Sequence, residues 1–285
     1  GHFYQPAREN PWTGAVPLAP DAYPFHDWNA RITAESYGPN AWSQIRDAQG
    51  RVSEIVNNYE RINFNFGPTL LGWLESNSRE VFDAIIAADK ASQSRFSGHG
   101  SAMAQCYNHM IMPLANDRDK VTQVAWGIAD FRHRFGRDPE GMWLPETAVD
   151  LTSLDVLAEH GIVYTVLAPR QVAATRSIGS TEWTTNERES VNTRHPYRVQ
   201  LPSGRSISVF VYNGAMARSV AFEHMLTNGE QFATRLMSSF EEGGEATQLV
   251  HIATDGETYG HHHTFGDMAL AYALRAIERH SNVRL

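Results

Sequence analysis

Apolar runs end in a carboxylate at two places in this sequence, Gly141-Met142-Trp143-Leu144-Pro145-Glu146 and Leu249-Val250-His251-Ile252-Ala253-Thr254-Asp255-Gly256-Glu257. Each run has the composition of a buried strand and passes into a loop at its acidic residue. In α/β barrels the reactive side chains usually lie at that end of the strands. We therefore predict that Glu146 and Asp255 form a reactive pair.

Strands and helices alternate around these two runs. Strand candidates cover residues 61–66 and 162–167, and residues 197–201 and 206–212 are predicted to pair as a hairpin. Helices are predicted over residues 69–90, 118–135, 153–160, 220–240 and 267–280. Gly243-Gly244 separates the fourth helix from the second run. This alternation predicts a mostly parallel α/β sheet, open or closed into a barrel.

Two segments depart from the alternating pattern. Residues 7–60 are rich in proline and aromatic side chains but show little periodicity, so we predict a long ordered loop there. Residues 168–205 form a polar excursion with almost no apolar run.

The composition is that of a soluble globular protein, and its 285 residues are compatible with a single domain. The net charge of -8 opposes binding to polyphosphates, which argues against nucleic acid and anionic membranes as partners. A neutral substrate fits this charge better. The absence of any apolar run of about 18 residues argues against a membrane span.

The single cysteine, Cys106, can form neither an internal disulfide nor a thiolate metal site by itself. A reducing compartment is therefore allowed, and the first residues do not read as a signal peptide. We expect a cytoplasmic protein.

The residues around the two carboxylates point to acid–base or nucleophilic chemistry. Trp143, Leu144 and Pro145 are predicted to hold Glu146 in an apolar, rigid frame, although a glutamate at a strand end also commonly caps a helix or pairs with arginine. In an extended segment Asp255 and Glu257 would point to one face, although Asp-Gly is also typical of a turn. Paired carboxylates suit glycoside cleavage, where a separation of about 5 Å gives retention and a wider one gives inversion.

Histidine is the other chemical signal, with 13 in the chain. Three follow one another just after the second run, and His2 and His109 stand in short motifs of their own. A His and Asp cluster could hold zinc. However, the sequence has no HExxH motif, and consecutive histidines in an extended segment cannot all face one ion. We predict no metal and no cofactor.

Four stretches together resemble the motifs of glycoside hydrolase family 57, whose members act on α-glucans as amylases or 4-α-glucanotransferases. They are His2-Phe3-Tyr4-Gln5-Pro6, Asn108-His109 with Pro113, Gly141-Met142-Trp143-Leu144-Pro145-Glu146, and Asp255-Gly256-Glu257-Thr258-Tyr259-Gly260-His261. Glu146 stands where the family has its nucleophile, and Asp255 where it has its acid/base. The first motif carries two inserted residues, and Tyr259 stands where phenylalanine is commoner.

This resemblance implies an α/β fold, an irregular (β/α)7 barrel of mostly parallel strands with the catalytic face at the C-terminal ends of the strands. It also implies retention of configuration and no required metal. We expect one catalytic domain over residues 1–285, truncated at both ends relative to the family. The residues expected to bind substrate are His2, Gln5, His109, Trp143, Glu257, Tyr259, His262 and His263.

The resulting hypothesis is a retaining glycosidase that acts on an α-glucan oligo- or polysaccharide. A 4-α-glucanotransferase or branching-type transferase on the same site is the alternative. Two alternatives come from other classes, a metal-dependent polysaccharide deacetylase and a non-catalytic carbohydrate-binding barrel. Bound zinc and loss of activity on chelation would favour the deacetylase, and binding of maltooligosaccharides without product would favour the binding barrel.

Overall fold

A computed structural model describes residues 1–243 and 247–285 of the chain. The chain forms two compact units. Unit 1 comprises Gly1–Ala102, Ser219–Met237 and Thr254–Leu285, and unit 2 comprises Met103–Arg218 and Ser238–Ala253. A single catalytic domain over residues 1–285 stays a prediction.

Short strands and helices alternate along the chain. The strands are β1 (His2–Phe3), β2 (Ser43–Arg46), β3 (Val52–Val56), β4 (Asn65–Phe66), β5 (Ala104–Gln105), β6 (Met142–Trp143), β7 (Tyr164–Leu167), β8 (Ala174–Thr175), β9 (Thr184–Thr185), β10 (Pro196–Gln200) and β11 (Ser206–Val211). The helices are α1 (Trp28–Ile32), α2 (Gly38–Ala41), α3 (Pro68–Asn77), α4 (Arg79–Arg95), α5 (Asp117–Phe135), α6 (Leu151–Glu159), α7 (Gly214–Phe222), α8 (Gly229–Met237) and α9 (Gly266–Ile277). A π-helical turn, Thr33–Tyr37, joins α1 to α2.

The core of unit 1 surrounds β1, which pairs in parallel with β4. The Phe3 ring stacks on the Phe66 ring with centroids 4.5 Å apart. The rings of Tyr37, Tyr59 and Phe64 contact the Phe66 ring edge to face, and all three are fully buried. This aromatic packing fixes the strand that carries the first motif.

Unit 2 is built on two parallel pairs, β5 with β6 and β7 with β11, and β10 continues the second pair in antiparallel register. Thr165 links the two pairs, because its buried hydroxyl donates to the Met142 carbonyl over 2.8 Å. Helix α5 packs closely on β5 through Gly127, where a Cβ would lie 2.1 Å from the Gln105 carbonyl oxygen. The ends of β5 and β6 are thereby held side by side.

The prediction of a long loop over residues 7–60 was wrong. This segment holds α1, the π-helical turn, α2 and the antiparallel hairpin of β2 and β3. The helical run begins at Asp27, whose side chain accepts a hydrogen bond from the Ala30 amide over 3.0 Å, as an N-cap does. The prolines and the π-helical turn disturb the 3.6-residue period, so a search for that period misses the helices.

Two predicted helices are each interrupted. Residues 69–90 form α3 and α4, which break at Ser78, where φ is -145°. Residues 220–240 divide between the end of α7 and α8, with His224 at φ 57° between them. Helix α8 starts at Gly229, where a Cβ would lie 2.9 Å from the Tyr272 Cβ on α9. A side chain there would prevent this close packing.

The chain before Asp255 also differs from the prediction, because residues 249–255 form no regular strand. Instead, the Thr254 carbonyl accepts a hydrogen bond from the His2 amide over 3.0 Å, and Asp255 forms a single parallel bridge with His2. Gly244, part of the predicted separator, lies outside the described residues. The expected α/β class with parallel pairs is present, and the antiparallel pairs include the β2–β3 and β10–β11 hairpins.

Within the described residues, none of the helices combines the length and the apolar character that crossing a membrane requires.

Candidate active site

The parallel pairing of β5 with β6 brings His109 and Glu146 together in unit 2. Ala104 pairs with Met142 and Gln105 with Trp143, so both strands end at the same edge. His109 follows β5 and Glu146 follows β6, and the His109 Nε2 lies 4.0 Å from the Glu146 Oε1. The Glu146 side chain is 69% exposed and that of His109 is 15% exposed. The carboxylate is thus accessible to a substrate and has an imidazole beside it.

The backbone at Glu146 is held in a conformation that non-glycine residues rarely adopt. Glu146 has φ 55° and ψ 17°, and Thr147 follows with φ 52°. The Gln171 amide nitrogen donates to the Thr147 carbonyl, and the Gln171 amide oxygen accepts from the Ala168 backbone amide. Strained turns of this kind cluster at active sites, where they aim a side chain. Gln171 therefore clamps the turn that presents Glu146.

The predicted apolar frame around Glu146 exists only in part. Leu144 and Pro145 are buried, and Trp143 is half-buried. The carboxylate itself projects from this frame because the left-handed turn directs it outward. The buried Leu144 and Pro145 thus supply apolar surroundings beside Glu146 but do not enclose it, contrary to the prediction. A sugar contact for Trp143 stays a prediction.

Strand β1 places His2 beside Asp255 in unit 1. Asp255 is exposed, and His2 is buried. The His2 Nδ1 accepts a hydrogen bond from the Asn65 amide nitrogen over 2.8 Å, because an amide nitrogen can only donate. In the neutral ring this contact leaves the proton on Nε2. The structure thus pairs an exposed carboxylate with a histidine of defined tautomer.

Asp255 and Glu257 do not share one face, so the prediction of an extended segment was wrong. Residues Gly256–Thr258 form a 3-10 turn. A Cβ at Gly256 would lie 2.1 Å from the Phe3 ring, so only glycine allows the chain to pack this closely against that ring. The turn leaves Asp255 exposed and buries Glu257, which is 7% exposed.

Glu257 lies at the centre of a buried polar network. The Tyr37 hydroxyl donates to its Oε1 over 2.5 Å, and the Tyr4 amide donates to the same oxygen over 3.3 Å. Burial raises the pKa of Glu257 to about 7, although the Tyr37 hydrogen bond opposes this shift and the nearby Asp255 charge adds to it. Such burial indicates that Glu257 positions its neighbours.

Gln5 extends the same network. Its amide nitrogen donates to the Tyr37 hydroxyl over 3.2 Å, and its amide oxygen accepts from Arg8 over 2.8 Å. The first motif is therefore joined to the fourth through Tyr37. We interpret Gln5, like Glu257, as a residue that holds the motifs in place.

The three consecutive histidines have three different environments. The His261 Nδ1 donates to Glu35 over 2.5 Å, and the His263 Nε2 donates to the Ala221 carbonyl over 2.9 Å. Burial lowers the pKa of His262, and its histidine neighbours lower it further while Asp255 raises it. Among the residues that the structure describes, no group of three or more His, Cys, Asp or Glu side chains is arranged to hold a metal ion.

Tyr259 is buried beneath the fourth motif. Its hydroxyl accepts a hydrogen bond from the Thr254 hydroxyl over 3.1 Å, and its carbonyl accepts from Ser36 and Asn40. Burial raises the pKa of Tyr259 to about 12. Tyr259 thus packs beneath the turn after Asp255. Nothing in its surroundings favours the predicted contact with substrate.

Sequence reasoning missed Tyr37, Glu35, Asn65 and Gln171. Tyr37 and Glu35 lie in the segment that was predicted to be a loop, and Gln171 lies in the polar excursion. Each of these residues contacts a partner that is distant in the chain, so the local sequence pattern does not reveal the contact.

The family described as "Glycosyl hydrolase family 57" matches residues 22–285 of this chain. Alpha-amylase 1 of Dictyoglomus thermophilum is 33% identical over 106 residues, which are 37% of this chain and 15% of that protein. This chain therefore matches only a small part of that relative's length.

Two solved structures share the fold at low identity. The 4-alpha-glucanotransferase from Thermococcus litoralis superposes with a TM-score of 0.67 at 17% identity, over 98% of this chain and 37% of that one. The GH57-type branching enzyme from Pyrococcus horikoshii gives 0.64 at 17% identity, over 98% and 66%. At these identities the likeness concerns the fold alone.

Proposed function

Because this chain belongs to glycosyl hydrolase family 57, we propose that it is a retaining glycoside hydrolase that acts on α-glucans. The observation that carries the proposal is the pair of exposed carboxylates, each on a segment that lies next to a histidine. The Glu146 Oε1 lies 4.0 Å from the His109 Nε2, and the backbone of Asp255 forms a parallel β-bridge with that of His2. An α-glucan is neutral, and the net charge of -8 favours a neutral substrate over a polyanion.

The proposed reaction is a double displacement. The Glu146 carboxylate attacks the anomeric carbon while Asp255 gives its proton to the departing glycosidic oxygen, which forms a covalent glycosyl-enzyme. Asp255 then takes a proton from water, and the water oxygen attacks the anomeric carbon and releases Glu146. Over the two steps Asp255 recovers from water the proton that it gave to the glycosidic oxygen, and Glu146 is released as a free carboxylate.

The local geometry supports different roles for the two carboxylates. The strained, clamped turn at Glu146 reduces the freedom of the attacking group, which lowers the entropic cost of attack. The His109 imidazole, whose Nε2 lies 4.0 Å from the Glu146 Oε1, is close enough to hydrogen-bond a sugar hydroxyl that sits beside the carboxylate. Closure of the parallel pairs into the irregular (β/α)7 barrel is part of this proposal.

The Glu146→Gln variant tests the assignment of the nucleophile. We expect turnover of maltoheptaose to fall by at least about 1,000-fold, because an amide cannot form the glycosyl ester. The matched control is Glu159→Gln, which changes a half-exposed glutamate of the same unit. Thermal unfolding should be alike for the two variants. Turnover by Glu146→Gln within tenfold of wild type would sink the assignment.

Transfer of the glycosyl group to a second sugar is the competing reaction at the same site. The fold shared with a 4-alpha-glucanotransferase is the observation that favours this alternative. Chromatography of the maltoheptaose products separates the two. Shorter sugars alone mean hydrolysis, whereas longer sugars as well mean that the glycosyl group passes to a sugar acceptor.

A further inference from the structure

A cleft of about 670 Å³ lies within unit 1. Its walls come from α1, the π-helical turn, β2 and residues 260–268. The eight residues that were predicted to bind substrate are not among the described residues that line it. A ligand in this cleft would therefore contact none of those eight residues, although His261 of the fourth motif lines the cleft. The volume is in the range of ordinary ligand pockets.

Two aromatic side chains line the cleft and remain open to solvent. Trp42 is 46% exposed and Phe265 is 68% exposed. Large apolar side chains left open in a concave surface mark a site for a ligand or partner more often than a scattered surface residue does. Flat aromatic faces suit the apolar faces of sugar rings.

The backbone conformation of Phe265 indicates that its ring does not serve to stabilise the fold. Phe265 has φ 64° and ψ 14° at the N-cap of α9. The left-handed region costs a bulky residue about 1–2 kcal/mol, whereas asparagine or glycine is tolerated there and also caps helices well. Burial cannot repay this cost, because the ring is mostly exposed. Residues held in this region commonly serve function.

The charged groups of the cleft balance one another. Arg31 donates to Glu35 over 3.0 Å, and Arg46 donates to the Gln44 amide oxygen over 2.8 Å. Asp267 accepts from the Ser43 hydroxyl over 2.8 Å. Two arginines and two carboxylates leave no excess of either sign, so a neutral ligand with many hydroxyl groups fits better than an anion or a cation.

We propose that this Trp42–Phe265 cleft is a second, non-catalytic binding site for an α-glucan chain. The aromatic rings pack against sugar faces, and the guanidinium, amide and carboxylate groups hydrogen-bond to sugar hydroxyls. The inference takes its ligand class from the proposed function, but it uses none of the residues assigned to catalysis.

Hydrogen–deuterium exchange with maltoheptaose tests this site directly. The Glu146→Gln protein serves as the parent so that the sugar is not consumed. Trp42→Ala and Phe265→Asn are made in it, and asparagine keeps the left-handed backbone accessible. Trp12→Ala is the matched control, since Trp12 is 89% exposed and does not line the cleft.

We expect maltoheptaose to protect residues 38–46 and 264–268 in the parent and in the Trp12 control, because these two segments line the cleft and hold none of the eight residues predicted to bind substrate. The concentration for half-protection should rise about tenfold in Trp42→Ala and in Phe265→Asn, because each loses one buried aromatic contact. Absence of protection of both segments in the parent would overturn the inference, as would unchanged affinity in both folded variants.

The wild-type protein, measured in the same exchange experiment and assayed for cleavage, separates this inference from the proposed function. A wild-type protein that shows protection at the two segments but never cleaves maltoheptaose would overturn the hydrolase and support the cleft. A protein that cleaves maltoheptaose without such protection would support the hydrolase and overturn the cleft.

Discussion

At the scale of single residues, Glu257 is a buried group whose ionisation affects folding. Its pKa in the folded chain is about 7, above the ordinary value of 4.5, because burial disfavours the charged form. The folded state therefore holds the proton more tightly than the unfolded state. The stability that this group contributes is complete below about pH 4.5 and is lost as the pH rises through about 7.

The Glu257→Gln variant should remove this pH dependence. Glutamine keeps an oxygen that accepts from Tyr37 but never ionises. Relative to wild type, the variant should gain roughly 1–3 kcal/mol of stability between pH 4.5 and pH 8. Thermal unfolding at several pH values measures the difference. A constant difference across this range would show that Glu257 does not titrate with a raised pKa.

Gln171 is the second residue whose role is accessible to substitution. Gln171→Leu removes the hydrogen bond to the Thr147 carbonyl and the one from the Ala168 amide that holds Gln171 in place, so the strained turn loses its clamp. We expect kcat on maltoheptaose to fall about tenfold, because the nucleophile becomes less well oriented. Gln200→Leu, an exposed change on β10, is the control and should keep wild-type kcat. Equal rates for the two variants would contradict the clamp.

At the scale of elements, the turn after Asp255 is held against the π-helical turn by Gly260. Its φ is 131°, and a Cβ there would lie 2.1 Å from the Glu35 carbonyl oxygen. Ser36 and Asn40 also donate to the Tyr259 carbonyl from this helical run. The fourth motif thus takes its shape from a segment more than 200 residues earlier in the chain.

Gly260→Ala should destabilise the fold by at least about 3 kcal/mol, since it adds a backbone clash to the conformational cost. Gly50→Ala is the matched control, because Gly50 also has a positive φ, 77°, but open space around it. That control should cost only about 1–2 kcal/mol. Urea unfolding measures both. Similar losses would mean that the close contact with Glu35 is not maintained.

The elements also show what local pattern could predict. The amphipathic α5 and α9 and the β10–β11 hairpin were predicted close to their observed bounds, because periodicity and turn residues act locally. The breaks at Ser78 and Gly229 and the helices after Asp27 were missed. The start of α8 depends on its packing against Tyr272, which overrides local propensity. The helices after Asp27 were missed because prolines and the π-helical turn disturb the 3.6-residue period.

The residues of the candidate site also divide into those that local sequence could identify and those that it could not. Glu146, His109, His2 and Asp255 were identified from short motifs, and β5–β6 pairing and the His2 bridge bring each carboxylate beside a histidine. The burial of Glu257 and Tyr259 could not be predicted, because it results from packing on Tyr37 and Asn40. Local sequence therefore identifies the carboxylates and their neighbouring histidines better than the buried groups that support them.

At the scale of the whole molecule, the proposed reaction is cleavage of an α-glucan with retention through Glu146. A net charge of -8 favours a neutral polymer over a polyanion, and family membership supports the same substrate class. Retention distinguishes a covalent intermediate from direct attack by water, because each displacement inverts the anomeric centre.

Proton NMR of the first products from maltoheptaose tests this claim most directly. The newly formed reducing end should appear as the α anomer and reach the α/β equilibrium only later, through mutarotation. Initial appearance of the β anomer, or no cleavage of α-glucans at all, would contradict the account.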